Sequence, residues 1–156
     1  MSGSDPADRR DSLTIRWKAD GAIDLGELIV EAHAHGYAGR SSGYFNAQEV
    51  LDFAKRLTEY PLPHEPLEIR TGHLRKGTNE VDEHIGISIT AVGTLGQVGV
   101  FVHLNEVWPA RPETRSEVRL GLLTTYERLR RFGPELVGVM RGDRAEARLD
   151  GEVLRT

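Results

Sequence analysis

Hydrophobic positions along this chain follow two periodic patterns, one typical of helices and one typical of strands. The helical pattern occurs twice, in Asn46–Leu57 and in Thr124–Leu136, where apolar residues are spaced three and four positions apart. The two apolar stripes match in spacing and chemical type. They therefore predict two short amphipathic helices, with Val50, Phe53 and Leu57 buried in the first and Leu129, Phe132 and Leu136 buried in the second.

Both helices are predicted to begin at a capping box, in which two side chains satisfy backbone amides at the helix entrance. Asn46 with Glu49 has this spacing in the first copy, and Thr124 with Glu127 has it in the second. Gly133-Pro134 is predicted to break or kink the second helix, because proline lacks a backbone N–H and clashes with the preceding turn.

Alternation of apolar and polar residues predicts the strands. The longest in the first half is Leu25–Tyr37, and the glycine-rich run Gly36–Gly43 after it is interpreted as a turn. The polar segment His73–Glu83 is interpreted as a loop. Further strands are predicted at 13–17, 67–70, 85–89, 98–104, 118–122 and 144–149. Short turns between neighbouring strands favour a single α+β domain, a mainly antiparallel curled sheet with both helices on one face.

The chain of 156 residues has the usual size of one domain. We expect a disordered N-terminal tail at 1–11, one α+β domain at 12–150 and a C-terminal tail at 151–156. The tail at 1–11 is polar and charged and contains almost nothing to bury.

Composition excludes several classes of function. The net charge of −4 disfavours a nucleic-acid binder, which needs clustered Lys and Arg for phosphate contacts. The absence of cysteine excludes disulfides and thiol nucleophiles. We find no signal peptide and no apolar stretch that could cross a membrane, so we expect a cytoplasmic protein without a membrane partner.

Two histidines at alternate positions could carry metal chemistry. His33 and His35 are predicted to project from one face of a strand, and His103 from the polar face of a later strand, with His84 as a further candidate. No carboxylate clearly completes such a site, and a solvent-exposed polar face explains the same pattern. Metal binding by His33, His35 and His103 is therefore the alternative hypothesis, and no cofactor is expected by default.

No catalytic residue can be assigned from the sequence. Glu31 is the one carboxylate placed beside the strand histidines, and an exposed strand residue is the simpler interpretation. Ser41 and Ser42 lie outside any nucleophile-elbow motif.

An acidic segment is the best candidate for partner binding. Glu80, Asp82 and Glu83 fall within five residues of the predicted loop, and such charges can accelerate association with a basic protein surface. Tyr37 and Trp108 are candidate aromatic contacts, because Tyr and Trp are enriched at binding hot spots.

Three segments in order resemble the Wap-type (wall-associated protein) immunity family of small bacterial proteins. They are Gly36-Tyr37-Ala38-Gly39 before an aromatic pair and a helix with Glu49, Phe53 and Leu57, then Gly96-Gln97-Val98-Gly99-Val100, then Thr124-Thr125-Tyr126 leading to Leu129 and Phe132. The resemblance covers about Leu25 to Leu136 and implies a strand–helix–strand–helix order. It also implies that the chain neutralises the toxic domain of a contact-dependent toxin.

The first hypothesis is therefore a non-enzymatic binding protein, with a cognate toxin domain as partner and Glu80, Asp82, Glu83, Tyr37 and Trp108 as contacts. The alternatives are a metal-binding protein or metal-dependent enzyme, and a structural subunit that pairs through an exposed sheet edge.

Overall fold

The structure is a computed structural model, and it describes residues 10–21, 24–74, 77–79, 81–106, 109 and 111–152. The strands are β1 (Ser12–Ala19), β2 (Leu25–Ala34), β3 (Tyr37–Asn46), β4 (Leu67–Leu74), β5 (Val81–Val92), β6 (Gln97–Asn105), β7 (Glu117–Thr125) and β8 (Ala147–Asp150). The helices are α1 (Ala47–Arg56) and α2 (Tyr126–Met140), and a short 3-10 helix spans Pro112–Thr114. Neither α-helix has the length and apolar character that crossing a membrane would require.

The strands form two antiparallel sheets that pack face to face. Their orders are β3-β2-β1-β8 and β4-β5-β6-β7, and neither sheet closes on itself. The α+β class and the antiparallel pairing are confirmed, although the strands divide between two sheets where one was predicted. The inward-facing residues of both sheets and the apolar stripes of both helices form one hydrophobic core.

The first helix follows its predicted pattern. Asn46 is the N-cap, and its side chain accepts a hydrogen bond of 2.9 Å from the backbone N–H of Gln48. Val50, Phe53 and Leu57 are all buried, with Leu57 at the C-cap. Burial of this stripe, rather than helix propensity, supplies most of the stability of so short a helix.

The second helix departs from its sequence pattern at two points, the capping spacing of Thr124 and the predicted break at Gly133-Pro134. Its N-cap is Thr125, whose hydroxyl accepts from the backbone N–H of Arg128, while Thr124 is buried and donates to the carbonyl oxygen of Asp150. Gly133-Pro134 does not divide the helix, which continues through Pro134 to Met140. Packing of the buried stripe on the core outweighs the one backbone hydrogen bond that the proline removes.

The predicted turn at Gly36–Gly43 is also wrong. β2 ends at Ala34, and the chain reverses within two residues, His35 and Gly36, which both have positive φ (54° and 86°) as a type I′ hairpin requires. Tyr37–Asn46 is therefore a full strand paired with β2. Its glycines reflect close approach to the other sheet, since a Cβ on Gly39 would lie 2.3 Å from Val118 Cγ1.

Within the described residues, the predicted loop His73–Glu83 is strand at both ends, with a turn at 77–79 between them. β4 extends to Leu74 and β5 begins at Val81, so Asp82 and Glu83 belong to a strand and not to a loop.

Some residues of the two predicted tails form hydrogen bonds with the domain. Asp11 accepts hydrogen bonds from the backbone N–H groups of His35 and Gly151, and Glu152 donates to the carbonyl oxygen of Leu123.

The chain contains the same unit twice. β1-β2-β3-α1-β4 and β5-β6-β7-α2-β8 each consist of a three-stranded meander, a helix, and a fourth strand that joins the other unit's sheet. The helix N-caps Asn46 and Thr125 pair with Leu25 and Gln97, which aligns the two registers. The alignment matches Leu13, Ile15, Leu28, Val30, Phe53 and Leu57 with Ile85, Ile87, Val100, Val102, Phe132 and Leu136.

Equivalent residues of the two units meet along a pseudo-two-fold axis. Gly39 lies against its equivalent Val118 where β3 and β7 cross, and Gly133 lies against its equivalent Ala54 where the helices cross. A Cβ on Gly133 would come within 2.8 Å of the carbonyl oxygen of Ala54. The matched helix stripes of the sequence thus belong to two complete, symmetry-related units.

Candidate functional site

A row of polar side chains crosses the outer face of the second sheet. The register places Arg70, Gly86, His103 and Arg119 side by side on β4, β5, β6 and β7. Because neighbouring strands lie about 5 Å apart, side chains of adjacent members of this row can touch. With their neighbours they form a charged cluster, defined here as Arg70, Asp82, Glu83, His103, Asn105, Arg115, Glu117 and Arg119.

A β-bulge directs Glu83 into this cluster. The pairing of β4 with β5 shifts between Thr71 and Gly72, so that Thr71 pairs with Ile85 while Gly72 pairs with Glu83. The shift leaves Ile85 in the core and brings the carboxylate of Glu83 within 2.9 Å of Arg70 Nη1. Bulges commonly re-aim a side chain in this way beside functional sites.

His103 lies between two carboxylates. Its Nδ1 is 2.8 Å from Glu83 Oε1, and its Nε2 is 2.8 Å from Glu117 Oε2. The His103 side chain is only 11% exposed, so its position is fixed by packing as well as by hydrogen bonds. Both ring nitrogens are therefore occupied by groups of the protein itself.

Both carboxylates favour their ionised form. Burial raises the pKa of Glu83, but hydrogen bonds from His103 and Arg70 outweigh that effect, so its pKa lies below the ordinary value. For Glu117, the hydrogen bond from His103 is the main cause of a lowered pKa, with support from the nearby charges of Arg119 and Arg115. Glu83 and Glu117 are thus negatively charged near neutral pH.

The far end of the cluster contains polar groups that are buried. Asp82 is 8% exposed and forms an ion pair of 3.4 Å with Arg115. Within the described residues, Asn105 Oδ1 and Arg115 Nε are buried without a hydrogen-bond partner. An acceptor and a donor of this kind leave hydrogen-bonding capacity in the cluster.

A shallow cleft of about 410 Å³ adjoins the cluster on the same face. Its floor includes Gly86 and Gly121, and the Phe101 ring lies close to Gly99 and Gly121 while remaining 48% exposed. Two arginines of the cluster, Arg70 and Arg119, also line this cleft.

A second opening, which we call the edge groove, lies around the free edge of β3. It has a volume of about 520 Å³ and is lined by Ala38–Ser42, Glu27, Ile29, Leu104, Glu106 and Ser116–Val118. Glu117 borders both the groove and the charged cluster. Ser41 anchors the groove to the second sheet through a hydrogen bond of 2.6 Å from its hydroxyl to the carbonyl oxygen of Asn105.

The predicted partner-binding residues differ in their surroundings. Asp82 and Glu83 were expected as free acidic contacts, but both form ion pairs within the charged cluster. Tyr37 is 70% exposed and begins β3, directly before the edge groove. Glu80 and Trp108 lie outside the described residues.

The predicted histidine geometry is wrong. His35 belongs to the turn after β2, so it does not share a strand face with His33. His33 lies 3.4 Å from Glu31, His35 lies 3.8 Å from Asp11, and His103 belongs to the charged cluster. Across the described parts of the chain, no three His, Asp or Glu side chains converge as a metal site would require.

Comparisons with known proteins leave the family open. No protein-family model matches the chain, and neither a curated protein nor a solved structure matches it. Membership of the Wap-type immunity family therefore stays a prediction.

Sequence reasoning missed five of the eight residues of the charged cluster, which are Arg70, Asn105, Arg115, Glu117 and Arg119. Arg70 lies on β4, whereas Arg115 and Glu117 lie just before and at the start of β7, and the pairing of β4–β7 brings these segments to His103. One available signal was strand parity, since Arg70, His103 and Arg119 all occupy polar positions of alternating segments.

Proposed function

We propose that this protein is a non-enzymatic binding protein whose contact surface combines the charged cluster and the edge groove. We propose further that its partner is a protein, with a contact-dependent toxin domain as the candidate that the family resemblance suggests. The observation that carries the proposal is the placement of His103, Glu83 and Glu117. These three side chains hold one another in place through contacts of 2.8 Å, beside an open strand edge.

The protonation chemistry of the cluster supports binding over acid–base catalysis. A general base acts best when its pKa lies near the working pH, but the pKa values of Glu83 and Glu117 are lowered. Both ring nitrogens of His103 already lie within hydrogen-bond distance of carboxylates of the protein, so neither is open toward a substrate. Fixed charges of this kind serve orientation and selectivity in an interface.

The chemical composition of the surface supports a protein partner. Arginine and aromatic side chains are enriched at the centres of protein interfaces. Arg119 is exposed, Phe101 is 48% exposed on the same face, and Tyr37 is 70% exposed at the start of the groove. These side chains lie around a cluster of charged groups that could align a partner of complementary charge.

The experiment measures, by isothermal titration calorimetry, the binding of any toxin domain found to be encoded beside this protein's gene. Arg119→Glu should weaken the complex about tenfold or more, equal to ~1.4 kcal/mol, because it reverses a charge within the contact surface. Tyr37→Ala should weaken it as well. Arg130→Glu is the matched control, because Arg130 is equally exposed but lies on the polar side of α2, and it should change Kd by less than about twofold.

Two outcomes would overturn the proposal. One is the absence of any complex with that toxic domain. The other is equal weakening by Arg119→Glu and Arg130→Glu, which would show that net charge rather than this surface controls binding. Thermal melting of each variant, compared with the unchanged protein, separates lost contacts from lost folding.

A further inference from the structure

We propose that the edge groove binds an extended, basic segment of a protein partner, which adds to β3 as a fifth strand of the first sheet. This inference deepens the proposed function and rests on it for the partner being a protein. It assigns the backbone of β3, rather than a side-chain site, as the main source of contacts. Strand addition to a free sheet edge is a common mode of peptide recognition.

The backbone direction of β3 can be derived from its hairpin. A two-residue turn at His35-Gly36 makes Ala34 and Tyr37 a hydrogen-bonded pair, and such pairs recur at every second residue. Gly39 and Ser41 therefore hydrogen-bond to β2. The intervening residues Ala38, Arg40 and Ser42 direct their N–H and C=O groups away from β2.

A side-chain contact supports that direction. The carbonyl oxygen of Tyr44, which follows the same parity as Ser42, accepts a hydrogen bond of 2.7 Å from Thr71 Oγ1 of the second sheet. Before Tyr44, the outward-facing backbone groups of Ala38, Arg40 and Ser42 have no protein partner within the described residues. Three consecutive outward positions are enough to pair a short extended segment.

The edge groove has two defined sides, which favour a segment that lies along it. The backbone of β3 forms one side, and Leu104, Glu106 and Ser116–Val118 form the other. The wall is held in place, because Glu106 N donates to the Ser116 carbonyl oxygen at 2.8 Å, and Ser116 N donates to Glu106 Oε2 at 3.1 Å.

Charge selects a basic segment. Three carboxylates line the groove, on Glu27, Glu106 and Glu117, against one cation, Arg40. The lowered pKa of Glu117 keeps that carboxylate ionised below neutral pH. A segment that carries Lys or Arg at alternate positions would place its charges beside these groups while its backbone pairs with β3.

The test uses the isotope-labelled protein and two blocked peptides of about eight residues, observed by NMR and hydrogen exchange. One peptide alternates valine and lysine, and the matched control alternates valine and glutamate. The lysine peptide should shift the amide signals of Ala38, Arg40 and Ser42 and slow their exchange about tenfold or more. The amides of Gly39 and Ser41, already bonded to β2, should exchange slowly with and without peptide.

A variant adds a second readout. Ser42→Pro removes an outward N–H that pairs with no strand of the first sheet, so the fold should persist while the lysine peptide no longer binds. The exchange rates of the helix amides report whether this variant is folded. If it is not, the comparison of the two peptides on the unchanged protein still tests the inference.

Three results would overturn this inference. The lysine peptide could leave exchange at Ala38, Arg40 and Ser42 unchanged up to millimolar concentration. Both peptides could bind equally, which would remove the role of charge. The three amides could become protected as the protein itself is concentrated, which would identify a second copy as the occupant. None of these results affects the toxin-binding measurement with Arg119→Glu. Failure of the proposed function can therefore be distinguished from failure of this inference.

Discussion

The two units of this protein share one architecture but differ in the connection between their second and third strands. In the first unit, His35-Gly36 joins β2 to β3 in a tight turn, whereas residues 106–116 join β6 to β7 in the second. Glu106 and Ser116, at the two ends of the long connection, line the edge groove beside β3. The connection of the second unit therefore contributes to the groove, whereas its counterpart in the first unit is only a two-residue turn.

The outer faces of the two sheets carry similar residues at several equivalent positions but differ at the centre. Arg148 and Arg40 of the first sheet, and Glu146 just before β8, occupy the positions of Arg70, Arg119 and Glu68 in the second sheet. At the centre, however, the position of His103 is taken by Glu31. Only β4 and β5 carry the bulge that adds Glu83. One histidine and one bulge thus distinguish the charged cluster from an ordinary polar sheet face.

Substitution of the two helix phenylalanines is the strongest test of whether the two units contribute equally to stability. Phe53→Ala and Phe132→Ala should each lower the free energy of unfolding by about 3–5 kcal/mol, because the two rings are 5% and 1% exposed. If the units contribute equally, the two losses should agree within about 1 kcal/mol. Urea denaturation measures both. A difference of more than about 1 kcal/mol between the two losses would contradict equal contribution.

A pair of substitutions tests the contact between Gly39 and Val118, where β3 and β7 cross. Gly39→Ala should cost about 2 kcal/mol, because its Cβ would lie 2.3 Å from Val118 Cγ1. Adding Val118→Ala should recover at least half of that loss, since it removes the clashing methyl group. A double-mutant cycle from urea denaturation tests the coupling, and additive losses would show that the two residues do not meet.

At the helix crossing, alanine substitutions at two glycines of α2 should change stability in opposite directions. Gly133→Ala should cost about 1–2 kcal/mol, because the new Cβ would lie 2.8 Å from the backbone oxygen of Ala54. Gly138→Ala is the control and should stabilise by about 0.5 kcal/mol, since only the flexible side chain of Arg144 lies near and alanine favours helices. Thermal melting of both variants decides, and equal shifts would contradict the crossing.

The smallest predicted effect concerns the charged cluster, which lies on the second sheet and has no counterpart on the first. Glu83→Gln should lower the free energy of unfolding at neutral pH by about 1 kcal/mol, because it weakens the contacts with His103 and Arg70. Since the folded-state pKa of Glu83 is lowered, its contribution is complete above the ordinary glutamate value of about 4.5 and is lost as pH falls through the folded-state pKa. The unchanged protein and the variant should therefore converge in acid.

The control for this measurement is Glu127→Gln, which removes an exposed ion pair with Arg131 on the surface of α2. It should change the free energy of unfolding by less than about 0.5 kcal/mol. Urea denaturation between pH 6 and 3 compares the three proteins. A gap between the unchanged protein and Glu83→Gln that stays constant down to pH 3 would contradict the lowered pKa.

Much of the fold could be predicted from local patterns, because helices and half-buried strands leave periodic signals in the sequence. The stripes at Phe53 and Phe132, and the hairpin of β5 and β6, required only that periodicity. The errors at Gly36–Gly43 and Pro134 have one cause. Glycine and proline were interpreted as local breakers, but tertiary packing determines their role here, through the crossings at Gly39 and Gly133.

The candidate site was less predictable, because it depends on register. Glu83 and His103 were both noted in the sequence, yet nothing local indicates that they lie 2.8 Å apart. Their contact requires the β5–β6 pairing and the shift at Gly72, and a one-residue slip in either would turn a side chain to the opposite face. Charged residues separated along the chain therefore cannot be grouped into a cluster from periodicity alone.

The exchange of fourth strands has a consequence for how the chain matures on the ribosome. β1 pairs with β8, and the ion pair of Arg16 with Glu146 joins positions 130 residues apart. The first sheet therefore stays one strand short until Ala147–Asp150 has been synthesised. Long-range pairing of this kind slows folding, so we expect the nascent first unit to need protection from aggregation until β8 has been synthesised and can pair with β1.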